Sequence, residues 1–120
     1  MSNAIEQKSF FFAVRITRLC RFLQEEKKEF ILTKQLLRSG TSIGANIAES
    51  QQAQSKADFT SKLSIALKES VETNYWLRLL YATDYLSEAE FSSIITDCKE
   101  LERLLTSIIK TSRNSSKSPS

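Results

Sequence analysis

The stretch SEAEFSSIITDCKELERLLTSI, residues 87–108, is the clearest indicator of fold class in this chain. Its first four residues have the form of a capping box, in which Ser87 caps a helix and Glu90 returns a hydrogen bond to the serine. After the box, apolar residues recur at alternating steps of three and four residues, the spacing of one helical face. They are Phe91, Ile94, Cys98, Leu101, Leu105 and Ile108. This sustained seam predicts a long amphipathic helix that packs along other helices.

The composition of the chain also favours helices. It has 120 residues, enough for one domain, of which 41% are hydrophobic and 26% charged, as is typical of globular proteins. Only two Gly and one Pro are present, and β-rich folds consume these residues in their turns. No apolar run reaches the ~18 residues of a membrane span, and the N-terminus lacks a signal-peptide layout. We therefore expect a cytoplasmic protein with no membrane partner.

Three further helical blocks precede the seam. Residues 5–28 have one apolar face, formed by Phe12, Ile16, Leu19 and Leu23 and widened by Phe10, Phe11, Val14 and Phe22. A second block covers about residues 30–52 or 33–52. The third begins after a capping Ser55 and runs to about Tyr85. It is apolar around much of its circumference, which indicates contacts on more than one side and hence an oligomer.

Short connections between the blocks make neighbouring helices antiparallel. The sequence therefore predicts an all-α fold, an antiparallel up-down-up-down four-helix bundle, with a single domain at residues 1–110. The remaining residues, 111–120, are polar and Ser-rich, and they are predicted to form a disordered tail.

Both glycines of the chain, Gly40 and Gly44, fall inside the second block. Each costs a helix ~1 kcal/mol relative to Ala. Because they lie four residues apart on one face, the favoured explanation is a close approach of another backbone. The alternative is a break at Gly40 followed by a new helix, but the apolar spacing continues from Leu36 to Ile47. Candidates for helix packing or oligomer contacts are Gly40, Ile43, Gly44, Ile47 and Trp76.

The sequence offers little for catalysis. The absence of His excludes an imidazole base, a Ser-His-Asp triad and a His-containing metal site. Cys20 and Cys98 form no CxxC pair, and each fits an apolar helical pattern as a buried free thiol. Three carboxylates on long helices, Glu49, Glu69 and Glu72, are interpreted as surface or inter-subunit salt-bridge partners. We expect no enzyme activity, catalytic residue, metal or cofactor.

The formal net charge of +3 is unevenly distributed. Residues 5–28 are mainly basic, whereas residues 87–109 are mainly acidic, so the two segments are expected either to attract each other or to leave a nucleic-acid surface. Candidate nucleic-acid-binding residues are Arg15, Arg18, Arg21, Lys27, Lys28, Lys34 and Arg38, with Lys110, Arg113 and Lys117 in reserve. No base-reading motif is present, so contacts to phosphates are expected to dominate.

The second and third blocks also carry a family resemblance. LLRSGTSIGANIAES (residues 36–50), QQAQSKADF (51–59), and KLSIALKES with ETNYWL (62–77) resemble the 23S rRNA intervening-sequence protein family. The match spans Phe10 to about Thr111. Members of this family are small bacterial four-helix-bundle proteins, and the family has no accepted catalytic residues.

The resemblance implies a homopentamer packed around a central channel. It also implies kinship with the accessory variability proteins of diversity-generating retroelements, which bind nucleic acid and a reverse transcriptase through basic surface. Two functions follow as alternatives. One is an oligomeric module that binds RNA or DNA, and the other is a protein–protein adaptor for a genetically linked partner, without nucleic-acid binding.

Overall fold

Four α-helices make up the part of the chain that the computed structural model describes, residues 3–117. They are α1 (Asn3–Lys27), α2 (Ile31–Ser50), α3 (Lys56–Ala82) and α4 (Glu88–Lys117). Consecutive helices pack against each other, and α4 returns to pack on α1. The connections of three to five residues make neighbours antiparallel. The predicted all-α, up-down-up-down bundle is confirmed, and α1 and α3 lie at diagonally opposite corners.

The core consists of the apolar seams that face the bundle axis. In α4, the four central seam residues Ile94, Cys98, Leu101 and Leu105 are buried, while Phe91 at the start stacks on Tyr81 with ring centroids 4.3 Å apart. The capping box is formed as predicted: the Ser87 hydroxyl accepts from the Glu90 backbone N–H, and the Glu90 carboxylate accepts from that of Ser87.

The predicted widening of the α1 core face is wrong. Phe12 is buried, but its neighbours Phe10 and Phe11 are 67% and 64% exposed, and Phe22 is also exposed. Successive helical residues point about 100° apart. Three consecutive phenylalanines therefore cannot all face one core, and two of them are left on the surface.

The glycines of α2 serve packing against α1 within the same chain. The helix continues through both positions, so the break at Gly40 does not occur. A Cβ at Gly40 would lie 2.8 Å from Cγ2 of the buried Ile16, and one at Gly44 would lie 3.3 Å from the carbonyl oxygen of Ser9. Close approach of α1 is therefore the physical reason for glycine: the neighbour is the backbone of Ser9 at Gly44, as predicted, but the side chain of Ile16 at Gly40.

The start of α2 depends on a side chain that the sequence analysis did not identify. Lys28 ends α1 in the left-handed region, with φ of 56°. The next residue, Glu29, is buried and its carboxylate accepts hydrogen bonds from the backbone N–H groups of Ile31, Leu32 and Thr33, at 3.2, 3.1 and 2.8 Å. Glu29 thus satisfies three of the donors that a helix N-terminus leaves open.

Two helix ends differ from the predicted boundaries. α3 ends at Ala82 because Asp84 has a φ of 71° and the Tyr85 N–H closes back onto the Leu80 carbonyl at 2.9 Å. α4 continues to Lys117, beyond the predicted domain end at residue 110. Buried Ile109 and a 2.8 Å hydrogen bond between the Thr60 and Ser112 hydroxyls hold this extension against α3. Residues 118–120 of the predicted tail lie outside the described residues.

Candidate functional site

Charge pairing between α1 and α4 uses part of the predicted basic surface. An Arg15 guanidinium nitrogen lies 2.6 Å from Oδ2 of Asp97, and Arg15 also donates to the Ser93 hydroxyl at 2.9 Å. Lys8 pairs with Glu100 at 3.4 Å. The basic first helix and the acidic fourth helix therefore attract each other inside one chain. The Arg15 guanidinium is therefore already paired with a carboxylate of its own chain.

Arg38 of α2 is also paired, with carboxylates of α3 where the two helices pack together. Its guanidinium pairs with Glu69 at 3.3 Å and with Glu72. Glu72 additionally accepts a hydrogen bond from Nε1 of Trp76 at 2.9 Å. The hydrogen bonds from Trp76 and Arg38 lower the pKa of the Glu72 carboxyl. The three candidate carboxylates of the sequence analysis are thus partners in intrachain ion pairs, since Glu49 pairs with Lys62 at 3.3 Å.

Arg15, Arg18 and Arg21 recur at every third residue of α1. Residues three apart on a helix differ by about 300°, so each step falls back by about 60°. Arg15 and Arg18 line one cleft beside α4, together with Leu19, Glu90 and Ile94, whereas Arg21 is not part of that lining and is exposed farther round the helix.

Lys27 is exposed but close to an acidic residue of α4. It helps to lower the pKa of the Glu90 carboxyl, although the hydrogen bonds with Ser87 are the larger cause.

Besides Lys27, three cations are exposed where α1 joins α2: Arg21, Lys28 and Lys34. A 3.1 Å hydrogen bond from Gln24 to the Thr33 hydroxyl places these parts of α1 and α2 side by side. No ion pair of the described residues involves the three cations. We call them the basic corner.

The reserve candidates on α4 lie at the other end of the bundle. Lys110 and Arg113 are exposed, but α4 begins at the end of the bundle that holds the basic corner and runs away from it. The side chain of Lys117 lies outside the described part of the chain.

The helix-packing candidates are distributed between core and surface. Ile43 and Ile47 are fully buried in the core of the bundle. Trp76 is half-buried and packs against that core. Ile43 and Ile47 are therefore closed to another chain, whereas part of the Trp76 side chain reaches the surface.

Exposed apolar side chains form the second surface feature, and the sequence analysis did not assign them to a site. They occur on α1, on α3 and where α1 joins α2: Phe10, Phe11 and Phe22; Ile65, Val71 and Tyr75; Phe30 and Ile31. α4 has none among its described residues. The run of three phenylalanines in α1 was the available signal, because one helical face cannot bury all three.

A groove of about 400 Å³ runs between α1 and α2, and Phe10 forms part of its lining. Its lining is apolar or small except at one end: Glu6, Ser9, Phe10, Ala13, Thr41, Gly44, Ala45 and Ala48. The groove exists because the glycine-mediated approach of the helices leaves short side chains along the seam.

A second cavity, of about 650 Å³, lies at the end of the bundle where α4 finishes. Hydroxyl, amide and apolar groups line it, together with Lys56, and its lining among the described residues includes no carboxylate or thiol.

The thiols and the potential metal ligands of the described residues form no reactive cluster. Both cysteines are free and buried, and burial raises the pKa of each thiol to about 12. Among residues 3–117 there is no cluster of three or more His, Cys, Asp and Glu side chains that could hold a metal ion. None of the helices in this part of the chain is long and apolar enough to cross a membrane.

The structure therefore defines a class of protein: a helical bundle that carries a basic corner and exposed apolar side chains on its surface. The chain belongs to the 23S rRNA-intervening sequence protein family, whose family model matches residues 1–107. The resemblance carried by residues 36–77 is therefore confirmed.

A solved structure of high similarity supports the assignment. It is the crystal structure of a protein with unknown function from the S23 ribosomal protein family of Bacteroides thetaiotaomicron, with 57% sequence identity and a TM-score of 0.87. The alignment covers 88% of this chain and 98% of that chain. No curated protein matches the chain. Neither the family nor this relative indicates an enzyme class.

Proposed function

We propose that this chain is a non-enzymatic, cytoplasmic homopentamer that binds nucleic acid through the basic corner of each subunit. The observation that carries the proposal is the contrast between two paired candidates and the three that form the corner; Arg18 and Lys27 are exposed as well, but lie near Glu90. Arg15 and Arg38 are neutralised by carboxylates of neighbouring helices. Arg21, Lys28 and Lys34 are exposed.

Repetition of the corner is essential to this function. The corner of a single subunit also has the exposed carboxylates Glu25 and Glu26 nearby, so its excess of positive charge is small. Phosphate contacts of this kind are weak and independent of sequence. Linking five copies raises the effective concentration of each corner after the first has bound.

The exposed apolar side chains support assembly. Phe10 and Phe11 on α1 and Val71 on α3 are each more than half exposed, and unburied apolar area on soluble proteins marks contact surfaces. Light scattering of the purified chain should give about five times the monomer mass of 13.7 kDa. A monomer at all concentrations would refute the pentamer.

A salt-resolved binding titration tests the nucleic-acid function. Wild type is titrated with 23S rRNA fragments, unrelated RNA and duplex DNA between 50 and 200 mM salt. We expect similar affinities for all three and a steep fall with salt, because counterion release dominates phosphate binding. Affinity that is independent of salt would refute phosphate contacts.

A matched pair of triple variants locates the contact. Arg21→Glu, Lys28→Glu and Lys34→Glu together should weaken binding and reduce the salt slope by roughly one per lost contact. The control carries the same charge change on α4, at three exposed positions: Lys99→Glu, Arg103→Glu and Lys110→Glu. Equal losses in both variants would show that only net charge matters and would refute the assignment to the corner.

The second candidate function is an adaptor for a linked protein partner. Phe30 and Ile31, which are 58% and 77% exposed where α1 joins α2, favour it because they offer an apolar contact beside the cations. If the corner variant remains folded and pentameric and binds RNA and DNA as wild type does, the adaptor function is the better account.

A further inference from the structure

Two apolar surfaces of this chain face in different directions. The first is the groove between α1 and α2. The second, which we call the α3 ridge, comprises Ile65, Lys68, Val71 and Tyr75 on the outer side of α3. Since α1 and α3 make no contact with each other within residues 3–117, a single copy cannot cover its own groove with its own ridge.

The two surfaces are complementary in shape. Val71 and Tyr75 are 55% and 49% exposed, and they lie one helical turn apart as neighbouring projections. The groove offers short side chains along its floor, including Ala13, Ala45 and Ala48. Eight residues of α1 (6–13) and eight of α2 (41–48) span its length, about 10 Å at the helical rise. This is enough for two projections one turn apart.

The two surfaces are also complementary in charge. The groove lining includes one charged side chain, Glu6. The α3 ridge carries Lys68, exposed and one turn before Val71. The other nearby carboxylate on α3, that of Glu72, already accepts from Arg38 and Trp76. A ridge that enters the groove therefore brings the Lys68 cation towards the Glu6 carboxylate, which forms no ion pair among the described residues.

From shape and charge together we infer that the α3 ridge of one copy docks into the α1–α2 groove of the next copy. This inference rests on the proposed oligomer and identifies the surfaces that form it. Because the two surfaces differ, the contact is heterologous, and it gives the proposed pentamer when five such contacts repeated around an axis close into a ring. Arg21 follows Ala13 by eight residues, about 12 Å along α1, so docking leaves the basic corner of every subunit open.

Site-specific crosslinking distinguishes this contact from other modes of assembly. Ala45→Cys in the groove and Val71→Cys on the ridge introduce exposed thiols, whereas the native Cys20 and Cys98 are buried. After treatment with a short bis-maleimide, the double variant should give a covalent ladder on a denaturing gel. A mixture of the two single variants should stop at the covalent dimer, and each single variant alone should remain a monomer.

Three results, two from crosslinking and one from light scattering, would overturn the inference. Dimers from one single variant alone would indicate a symmetric contact. A double variant that is pentameric by light scattering but gives no ladder would place the contact elsewhere, leaving the proposed pentamer intact. A wild type that is monomeric by light scattering would overturn the pentamer and the contact together.

A charge exchange gives an independent test. Glu6→Lys and Lys68→Glu should each weaken assembly about two- to five-fold, the range of an exposed ion pair. The double exchange should restore it. Thr96→Glu on the exposed face of α4 is the control and should assemble as wild type. Failure of the double exchange to restore assembly, with both single variants impaired and folded, would contradict the pairing of Glu6 with Lys68.

Discussion

Replacing Glu29 with alanine should destabilise the bundle more than any other single change at a helix end. The carboxylate accepts from three backbone N–H groups at the start of α2, and the last of these, at Thr33, is fully buried. An ordinary N-cap that serves one donor contributes about 1 kcal/mol, and a buried unsatisfied donor costs about 1–3 kcal/mol. We therefore expect a loss of about 2–3 kcal/mol in the free energy of unfolding.

Urea unfolding followed by circular dichroism at a fixed protein concentration measures this loss, because the stability of an oligomer depends on concentration. Glu29→Gln keeps an acceptor oxygen but not the charge, so it should lose about half as much. Glu26→Ala, at an exposed position one turn earlier, is the matched control and should stay within about 0.5 kcal/mol of wild type. If Glu29→Ala also stays within that margin, the carboxylate does not hold the start of α2.

Three further predictions concern the packing and the buried groups. Gly44→Leu should destabilise by about 1–3 kcal/mol through overpacking against Ser9, and a higher melting temperature with unchanged oligomer mass would contradict this. Because burial raises the pKa of both thiols to about 12, Cys20 and Cys98 should react with a disulfide reagent only after unfolding; a fast native reaction of either would refute it. Burial also raises the pKa of the Glu102 carboxyl, so the folded state binds its proton more tightly and loses stability as pH rises through this pKa. Glu102→Gln should thus raise the free energy of unfolding at pH 7 and not at pH 4. Equal effects at both pH values would show that the ionised, buried carboxylate is not what lowers the stability.

The helices and their packing faces were readable from the sequence because their signals are local. A capping box acts over three residues, and an apolar seam repeats every helical turn, so the start of α4 and its buried residues Ile94, Leu101 and Leu105 follow from neighbouring letters alone. The glycines of α2 were equally readable, since a costly residue repeated on one face requires a close neighbour.

Only the tertiary structure decided which basic side chains form ion pairs and which remain unpaired. Arg15 and Arg21 are the same residue type on the same helix, yet Arg15 meets Asp97, a residue 82 positions away, and Arg21 meets no carboxylate among the described residues. That difference depends on how far α1 is rotated about its axis and how α4 is placed beside it. Residue spacing within one helix contains neither quantity.

The same reason applies to the candidate interaction surfaces. The sequence by itself determined that α3 carries more apolar residues than one core face can hold, whereas it assigned the extra phenylalanines of α1 to the core. Only the packing of α1 on α2, at the separation that Gly40 and Gly44 permit, created a groove with an open floor. A groove and the ridge that fits it are properties of pairs of helices. Local pattern determines what each helix presents, and the assembled bundle determines what remains uncovered.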